Sequence, residues 1–325
     1  MIVVTGAGFI GGRLIRALSA ERSLDIVVAD SDLTPAKRQK YSGARIADEL
    51  TSAQLLALAW HDPTFSRKVD AVVHLGARTD AWERDTRLML QDNFRYSALL
   101  LRWCLQRRIP LVYASSAAVY GVRGRAAPRR ASELPPYARS KLLFDRLVEQ
   151  SSGAMRAPVA GLRLCNVYGP GEADKGRMAS VVFQFYRQLH DSGSIEIFTH
   201  TSLGAPGTQR RDFVHVDDVV ATVIWFLDHG RSGIFDVGTG RGAAFNDIAG
   251  IVLVQEGFGV VRYVPLPADL VGWYQAFTAA DLAPLRAAGC GLPFRSPEVG
   301  IPAYLPHLAA ARASSAALRI EDGTT

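Results

Sequence analysis

The sequence predicts an α/β fold in which a doubly wound parallel sheet carries a second, smaller α/β lobe. In the first half of the chain, short runs rich in β-branched residues alternate with longer stretches of helical character. Strands separated by helices form βαβ units, and these build parallel sheets. The short runs are almost entirely apolar, which is typical of strands that helices cover on both faces. The fold class therefore rests on the order of the elements and on the apolar character of the strands.

The first half of the chain gives the predicted elements in order. The β-branched runs place strands at residues 2–5, 25–30, 71–75, 111–115 and 159–164. The stretches between and after them place helices at residues 9–20, 51–60, 84–107 and 137–150.

The composition indicates a soluble globular protein, with 48% hydrophobic and 21% charged residues among 325. The net charge of +6 is modest for this length, and no basic stripe with interleaved aromatic residues predicts binding to nucleic acid. One local basic cluster, which we expect to be a solvated loop, consists of Arg123, Arg125, Arg129 and Arg130.

The cysteines predict reduced thiols in a cytoplasmic protein, and no metal site, because they are odd in number and far apart. They are Cys104, Cys165 and Cys290. The sequence opens on a strand, which leaves no room for a signal peptide, and no apolar run is long enough to span a bilayer. We therefore expect no membrane contact.

A glycine-rich turn follows the first predicted strand. Gly6, Gly8 and Gly11 give the spacing G-x-G-x-x-G between a strand and a helix. Such glycines allow a tight turn and a close approach of a pyrophosphate to the backbone N–H groups at the helix start. Asp30 ends the second strand about 20 residues later, where a carboxylate can bind the ribose of a dinucleotide. The pattern predicts a Rossmann-type dinucleotide site.

The residues after Asp30 leave the choice between NAD and NADP open. The Asp30 carboxylate suits the free ribose of NAD. Lys37, Arg38 and Lys40 follow closely, and any of them could neutralise the 2′-phosphate of NADP.

Ser116 follows the fourth predicted strand, and ligands bind at the carboxyl ends of the strands in an open α/β sheet. Tyr137 and Lys141 have the spacing Y-x-x-x-K, which puts them on one face of a helix. A free tyrosine has a pKa of about 10, and a nearby ammonium is expected to lower it. The three residues therefore predict proton transfer at an alcohol or carbonyl carbon.

These motifs resemble the extended short-chain dehydrogenase/reductase superfamily. Further stretches resemble, within it, the ADP-L-glycero-D-manno-heptose 6-epimerase family; they are residues 166–170 (NVYGP), 175–181 (KGRMASV), 210–219 (RRDFVHVDDV), 232–240 (SGIFDVGTG) and 274–278 (YQAFT). The resemblance covers the chain to about residue 308. It implies an isomerase that oxidises the sugar at C6″ and reduces the ketone from its other face. The expected cofactor is NADP, with NAD as the alternative, and the expected substrate is a nucleotide sugar, ADP-heptose.

The resemblance assigns roles to single residues. Tyr137 matches the acid/base of one face of the sugar, with Lys141 tuning it, and Lys175 matches the acid/base of the other face; Ser116 completes the catalytic set. Cofactor contacts are expected from Gly6, Gly8, Phe9, Ile10, Gly11, Asp30, Ser31, Lys37, Leu75, Gly76, Ala77, Asn93, Tyr137, Lys141, Val167 and Lys175. Substrate contacts are expected from Ser116, Asn166, Arg177, Gln184, Phe198, Arg211 and Tyr274. The family also implies a homo-oligomer.

Several positions depart from the family pattern. The glycine turn is one residue shorter than the family's T-G-x-x-G-x-x-G, and the position of a second lysine for the cofactor phosphate is Ser52. Arg177 and Gln184 stand where the family has serine and histidine, and residues 199–202 replace a Glu-Gly-Ser stretch. Because of these departures, the sequence does not decide which nucleotide sugar is the substrate. It also leaves the choice between NAD and NADP open.

Three other functions are considered. A sugar-nucleotide dehydratase needs an acidic pair after the serine, but Ala117 and Ala118 stand there and cannot transfer protons. A simple reductase would release oxidised cofactor. A dinucleotide-binding sensor would bind without turnover, although such proteins commonly lose the tyrosine or lysine that this chain keeps.

We expect two lobes with the active site in the cleft between them. The NAD(P)-binding domain is predicted from residues 1–167, about 212–240 and 276–290. The substrate lobe is predicted from residues of about 168–211, 241–275 and 291–310. Residues 311–325 are predicted to be a flexible tail.

Overall fold

A computed structural model describes residues 1–22, 24–80, 82–122, 130–200, 202 and 204–321. Three arginines of the predicted basic loop, at positions 123, 125 and 129, lie outside these residues, as do residues 322–325 of the predicted tail. In the described part of the chain, no helix has the length and apolar character needed to cross a bilayer.

A parallel sheet of seven strands forms the centre of the fold, and the predicted Rossmann-type fold class is confirmed. Its strands are β1 (Ile2–Thr5), β2 (Ile26–Asp30), β3 (Asp48–Thr51), β4 (Ala71–His74), β5 (Leu111–Ser116), β6 (Val159–Leu164) and β11 (Gly233–Val237). The spatial order is β11-β6-β5-β4-β1-β2-β3, so the strand order reverses between β1 and β4. That point opens a crevice at the carboxyl ends of the strands.

Helices pack on both faces of the sheet. The bounds along the chain are α1 (Phe9–Glu21), α2 (Pro35–Lys40), α3 (Ser52–His61), α4 (Pro63–Lys68), α5 (Thr86–Met89), α6 (Tyr96–Arg107), α7 (Pro136–Gln150) and α9 (Val216–His229). Successive residues of β1 face opposite sides: Val4 packs in one apolar cluster with Leu14, and Val3 in another with Leu100. This alternation explains why the strands are apolar throughout.

A third apolar cluster holds a smaller set of elements, which are β8 (Ser194–Thr199), α8 (Val181–Ser192), α10 (Phe245–Glu256) and α12 (Pro297–Glu321). Strand β8 pairs in parallel with β13 (Val260–Pro265). Two short pairs link the regions: β7 (Asn166–Tyr168) with β10 (Phe213–His215), and β9 (Arg210–Arg211) with β12 (Ala243–Ala244). Helix α11 (Ala283–Ala287) follows. The two-lobe division of the chain stays a prediction.

Besides the short helices α2 and α4, which were not predicted, the structure differs from the predicted elements in three places. The edge strand β3 was not predicted, because three of its four residues are polar and it lacks an apolar run. The long helix predicted at 84–107 starts instead at Thr86, capped by the Asp85 carboxylate, and contains a π-helical turn over Leu90–Arg95. Helix α12 continues to Glu321 and so covers most of the segment predicted as a flexible tail.

Candidate active site

A cleft of about 630 Å³ lies at the carboxyl ends of the central strands. The residues predicted to hold the cofactor that line it are Gly6, Gly8, Phe9, Ile10, Gly11, Asp30, Ser31, Lys37, Leu75, Gly76, Ala77 and Lys175. The cleft is also lined by Thr5, Ser52, Arg78, Thr79, Gln91, Asp92, Tyr96 and Asp174. It lies where the strand order reverses, as expected for ligand binding in an α/β sheet.

The glycine turn packs tightly on one side and is open on the other. Gly6 has a φ of +90°, and a Cβ there would lie 2.3 Å from the backbone nitrogen of Gly76. A Cβ on Gly11 would lie 1.8 Å from the carbonyl oxygen of Gly6, whereas one on Gly8 would meet nothing within 4 Å. Gly8 is the N-cap of α1 and offers no side chain to the first-turn N–H groups. This open cradle fits the pyrophosphate of a dinucleotide.

The Asp30 carboxylate is buried at the end of β2 and accepts hydrogen bonds on both oxygens. Oδ2 accepts from the N–H of Ala7 at 2.7 Å, and Oδ1 accepts from Nζ of Lys37 at 2.7 Å and from Oγ of Ser31 at 3.2 Å. Lys37 also bonds to Asp32. Although burial acts to lower the Lys37 pKa, the hydrogen bonds that its ammonium donates to the two carboxylates raise the pKa above its usual value. Lys37 is therefore held charged beside the expected ribose position.

Lys175 reaches the cleft from a 3₁₀ turn, Ala173–Met178. Its Nζ lies 5.3 Å from the centroid of the Phe9 ring, at the start of α1. Burial lowers the pKa of Lys175, and the charges of Glu172 and Asp174 oppose that lowering. A lysine with a lowered pKa is better suited to proton transfer at neutral pH than an ordinary lysine.

The structure brings Ser116 and Tyr137 together. Ser116 ends β5, and Tyr137 lies in the first turn of α7, whose first residue is a proline that fits the helix start. Ser116 lies close enough to Tyr137 for a side-chain hydrogen bond to act on the phenol. Burial raises the pKa of Tyr137, and this hydrogen bond acts in the opposite direction.

Lys141 follows one turn later on α7. Its Nζ donates to the carbonyl oxygen of Ala114 on β5 at 2.8 Å. Burial lowers the pKa of Lys141 to about 8, and the charge of Asp145 opposes this. The sequence predicted that Lys141 would lower the Tyr137 pKa, but the structure gives the opposite direction because burial of the phenol dominates.

Asn93 lies in the π-helical turn and supports α7. Its Nδ2 donates to Oγ of Ser140 at 3.1 Å and to the Arg78 carbonyl at 3.0 Å, and its Oδ1 accepts from the Arg78 N–H at 2.8 Å. It is 2% exposed and is not among the residues that line the cleft. Asn93, which the sequence assigned to the cofactor, therefore links α7 to the strand-end segment after β4. Helices often carry a π-turn at such functional positions.

Arg211, at the end of β9, is a buried cation among aromatic rings. Its guanidinium lies 5.0 Å from the ring centroid of Tyr274 and 5.9 Å from that of Phe245. Nη1 donates to the Arg210 carbonyl at 3.3 Å, and no carboxylate in the described part of the chain pairs with the guanidinium. Burial lowers its pKa. A buried guanidinium with free N–H groups is suited to hold a phosphate anion.

The other predicted substrate residues are distributed around this region. Phe198 meets the Tyr274 ring edge-on at a centroid distance of 6.3 Å. Asn166 and Val167 lie on β7, and Nδ2 of Asn166 donates to Oγ1 of Thr278 at 3.3 Å.

Arg177 and Gln184, the two departures from the family pattern, are bonded within the protein. Arg177 donates to Asp80 at 2.6 Å and stacks over Trp82 at 5.6 Å, and Nε2 of Gln184 donates to the Gly176 carbonyl at 2.7 Å.

The sequence did not predict two sets of residues that contact the expected substrate residues. Gln209 is buried, donates to the Phe198 carbonyl at 3.0 Å and lies close enough to Tyr274 to influence the pKa of that phenol. Its position two residues before Arg211, on the same side of an extended chain, could have indicated it. Asp80 and Trp82 hold Arg177, and no local sequence signal joins segments so far apart.

Residues 2–238 match the model of a family described as the NAD dependent epimerase/dehydratase family. The chain belongs to this family. It is 44% identical, over 317 residues, to the ADP-L-glycero-D-manno-heptose-6-epimerase of Alkalilimnicola ehrlichii, covering 96% of this chain and 99% of that protein. The resemblance found in the sequence is confirmed, and the protein is an enzyme of the epimerase kind.

Solved structures of this epimerase/dehydratase family share the fold. The Helicobacter pylori ADP-L-glycero-D-manno-heptose-6-epimerase has a TM-score of 0.76 at 26% identity, covering 95% of this chain and 96% of that one. A UDP-N-acetylglucosamine 4-epimerase from Methanobrevibacter ruminantium has a TM-score of 0.78 at 21% identity, covering 95% and 98%, and supports the fold alone.

Proposed function

We propose that this epimerase inverts C6″ of a nucleotide sugar, converting ADP-D-glycero-D-manno-heptose to ADP-L-glycero-D-manno-heptose. The observation that carries the proposal is the pair of proton-transfer groups at one edge of the sheet. Tyr137 lies beside Ser116 at the end of β5, and Lys175 lines the cleft beside Phe9. A bound dinucleotide supplies the acceptor that takes the hydride from the sugar and later returns it.

In this proposal each side chain acts at one face of the reacting carbon. Ser116 orients the C6″ hydroxyl, and Tyr137 takes its proton as the hydride leaves. The ketone then presents its other face, where Lys175 gives a proton to the oxygen as the hydride returns. The sugar loses and regains one hydride and one proton, and proton exchange with solvent returns Tyr137 and Lys175 to their starting states, so the enzyme needs no added oxidant or reductant. Arg211 and Tyr274 hold the diphosphate end of the substrate by charge and by stacking.

For the cofactor, the resemblance implies NADP, and Lys37 is the cation closest to the Asp30 carboxylate. NAD is the second candidate, because Asp30 and Asp32 already pair with Lys37 and because Ser52 supplies no charge. Denaturing the purified enzyme and weighing the released dinucleotide by mass spectrometry decides between them. A homo-oligomer is part of the proposal, and sedimentation velocity tests it.

Ala117 and Ala118 argue against a dehydratase. They begin the 3₁₀ turn after Ser116, whose Oγ accepts the N–H of Ala118 at 3.2 Å, so methyl groups stand where proton transfer would be needed. The experiment is an NMR-followed incubation with ADP-heptose and no added cofactor. Inversion at C6″ supports the proposal. Oxidised cofactor released in proportion to product would identify a reductase, and dinucleotide binding without turnover of any nucleotide sugar would identify a sensor.

A further inference from the structure

The segment that carries Lys175 turns around one buried carboxylate. We define the Lys175 loop as residues 169–180. Within it Glu172 has no exposed surface, whereas Ala173, Asp174, Gly176 and Arg177 are exposed. A buried carboxylate is unfavourable unless hydrogen-bond donors surround it. The hydrogen-bond donors around Glu172 therefore indicate which parts of the loop the buried carboxylate holds together.

These donors come from the two ends of the loop. Oε1 of Glu172 accepts from the N–H of Gly169 at 3.1 Å and from Oγ of Ser180 at 2.8 Å. Oε2 accepts from the N–H of Ser180 at 2.5 Å. The carboxylate thus ties residue 169 to residue 180 across the base of the loop. In addition, its own carbonyl accepts the N–H of Lys175 at 3.0 Å.

We propose that Glu172 is a positioning residue that keeps the Lys175 loop closed and so holds the Lys175 ammonium over Phe9 at the cleft. The proposal rests on the proposed function, because it concerns the acid/base assigned to the second face. Five of the twelve loop residues are exposed, and its regular structure is a 3₁₀ turn over Ala173–Met178, so we assign the shape of the loop to the bonds of Glu172. Gly176 has φ 55° and ψ −122°, a conformation that glycine adopts without strain because it has no Cβ, so the loop turns at this residue.

A second contact holds the loop from outside. Nζ of Lys40, the last residue of α2, donates to the Gly171 carbonyl and to Oδ1 of Asp174, both at 2.6 Å. This contact joins the loop to the dinucleotide-binding side of the cleft. Glu172 fixes the shape of the loop, and Lys40 fixes where the loop lies.

The test exploits the two directions of the reaction. Hydride removal from one epimer uses Tyr137 as base, and removal from the other epimer uses Lys175. In Glu172→Gln one carboxylate oxygen becomes an amide group that cannot accept an N–H, so at least one backbone N–H bond at the base of the loop is lost while the side-chain volume is kept. A displacement near 1 Å can cost about a hundredfold in rate. We expect single-turnover reduction of the bound dinucleotide, followed at 340 nm, to slow 10- to 100-fold for the epimer that needs Lys175.

The other epimer should react within about twofold of wild type, because Glu172 does not contact Tyr137 or Ser116. Glu196→Gln, on the exposed side of β8, is the matched control and should change neither direction. Equal slowing of both epimers, or no slowing, would overturn the proposal. If Glu172→Gln does not fold, Ser180→Ala removes one donor to Glu172 and must show the same one-sided slowing.

The outcomes also separate this proposal from the proposed function. If Lys175→Met abolishes inversion while Glu172→Gln affects both directions equally, Glu172 has no positioning role and the two-base assignment stands. If Lys175→Met still inverts the sugar, the proposed function itself fails.

Discussion

The ammonium of Lys141 is bonded to the backbone carbonyl of Ala114, with 2.8 Å between Nζ and the oxygen. This contact holds the lysine against the end of β5, where it is 6% exposed. Burial at this position lowers its pKa to about 8. The cost of that burial can be measured.

Lys141→Met should stabilise the dinucleotide-free protein at pH 7. The folded-state pKa of about 8 lies below the unfolded value of 10.5. Between these values the unfolded chain keeps a proton that the folded chain has lost, so stability of the wild type rises with pH in that window. Below pH 8 the buried charge costs up to about 3 kcal/mol. Urea unfolding measures the free energy of unfolding of both proteins. The advantage of Lys141→Met over the wild type should be smaller at pH 10 than at pH 7. Lys68→Met, at an exposed position, should show no such change.

Tyr137→Phe should lower the rate of epimerisation at least about a hundredfold, because the phenol is the proposed acid/base of one face. We expect the decrease in kcat, which NMR measures by following the signal of the C6″ proton. Tyr263→Phe removes an exposed hydroxyl from β13 and should retain wild-type turnover. A Tyr137→Phe enzyme within threefold of wild type would remove the proposed role.

Lys175→Met should abolish inversion while dinucleotide stays bound. The side chain keeps most of its length against Phe9 but loses the proton-transfer group. Inversion is scored by NMR, and bound dinucleotide by absorbance after denaturation. Lys68→Met again serves as the control for loss of a lysine charge. Loss of the dinucleotide together with activity would show that Lys175 binds cofactor only.

Arg211→Met should raise the KM for the nucleotide sugar roughly 10- to 100-fold, because a hydrogen bond to a charged group contributes about 1.5–3 kcal/mol. The free energy of unfolding should not fall, since the change removes a buried charge with no carboxylate partner in the described residues. Steady-state kinetics and urea unfolding measure the two effects. Arg241→Met, at an exposed position, should leave KM unchanged. An unchanged KM in Arg211→Met would exclude Arg211 from the substrate site.

Gly8→Ala should weaken dinucleotide binding at least tenfold without lowering the Tm of the dinucleotide-free protein. The added Cβ would meet no protein atom within 4 Å, so it would fill only the space that we expect the pyrophosphate to occupy. Calorimetric titration and thermal unfolding test the two parts. Gly250→Ala, inside α10 with similar open space, should retain binding and gain up to about 1 kcal/mol of stability. Unchanged dinucleotide affinity in Gly8→Ala would contradict the cradle.

The sequence predicted the cofactor side of the cleft better than the substrate side. The glycine turn and Asp30 lie within one strand-helix-strand unit, and β1 and β6 have the predicted bounds, because the signal for a buried apolar strand is local. Arg211 and Tyr274 meet through tertiary packing, and only the resemblance to a family joined them in advance. The direction of the Tyr137 pKa was wrong because sequence spacing gives charge proximity and does not give burial.

The position of β11 has a consequence for synthesis. This strand completes the sheet beside β6, with Gly233 opposite Ala160, only after the chain has passed through the residues of β7 to α9. Until residue 237 has been made, β6 is an unpaired strand edge whose Val159, Leu162 and Leu164 are apolar. Such edges recruit strands from other chains. On a ribosome, this enzyme is therefore most exposed to misassembly while the residues from β7 to β11 are still being translated.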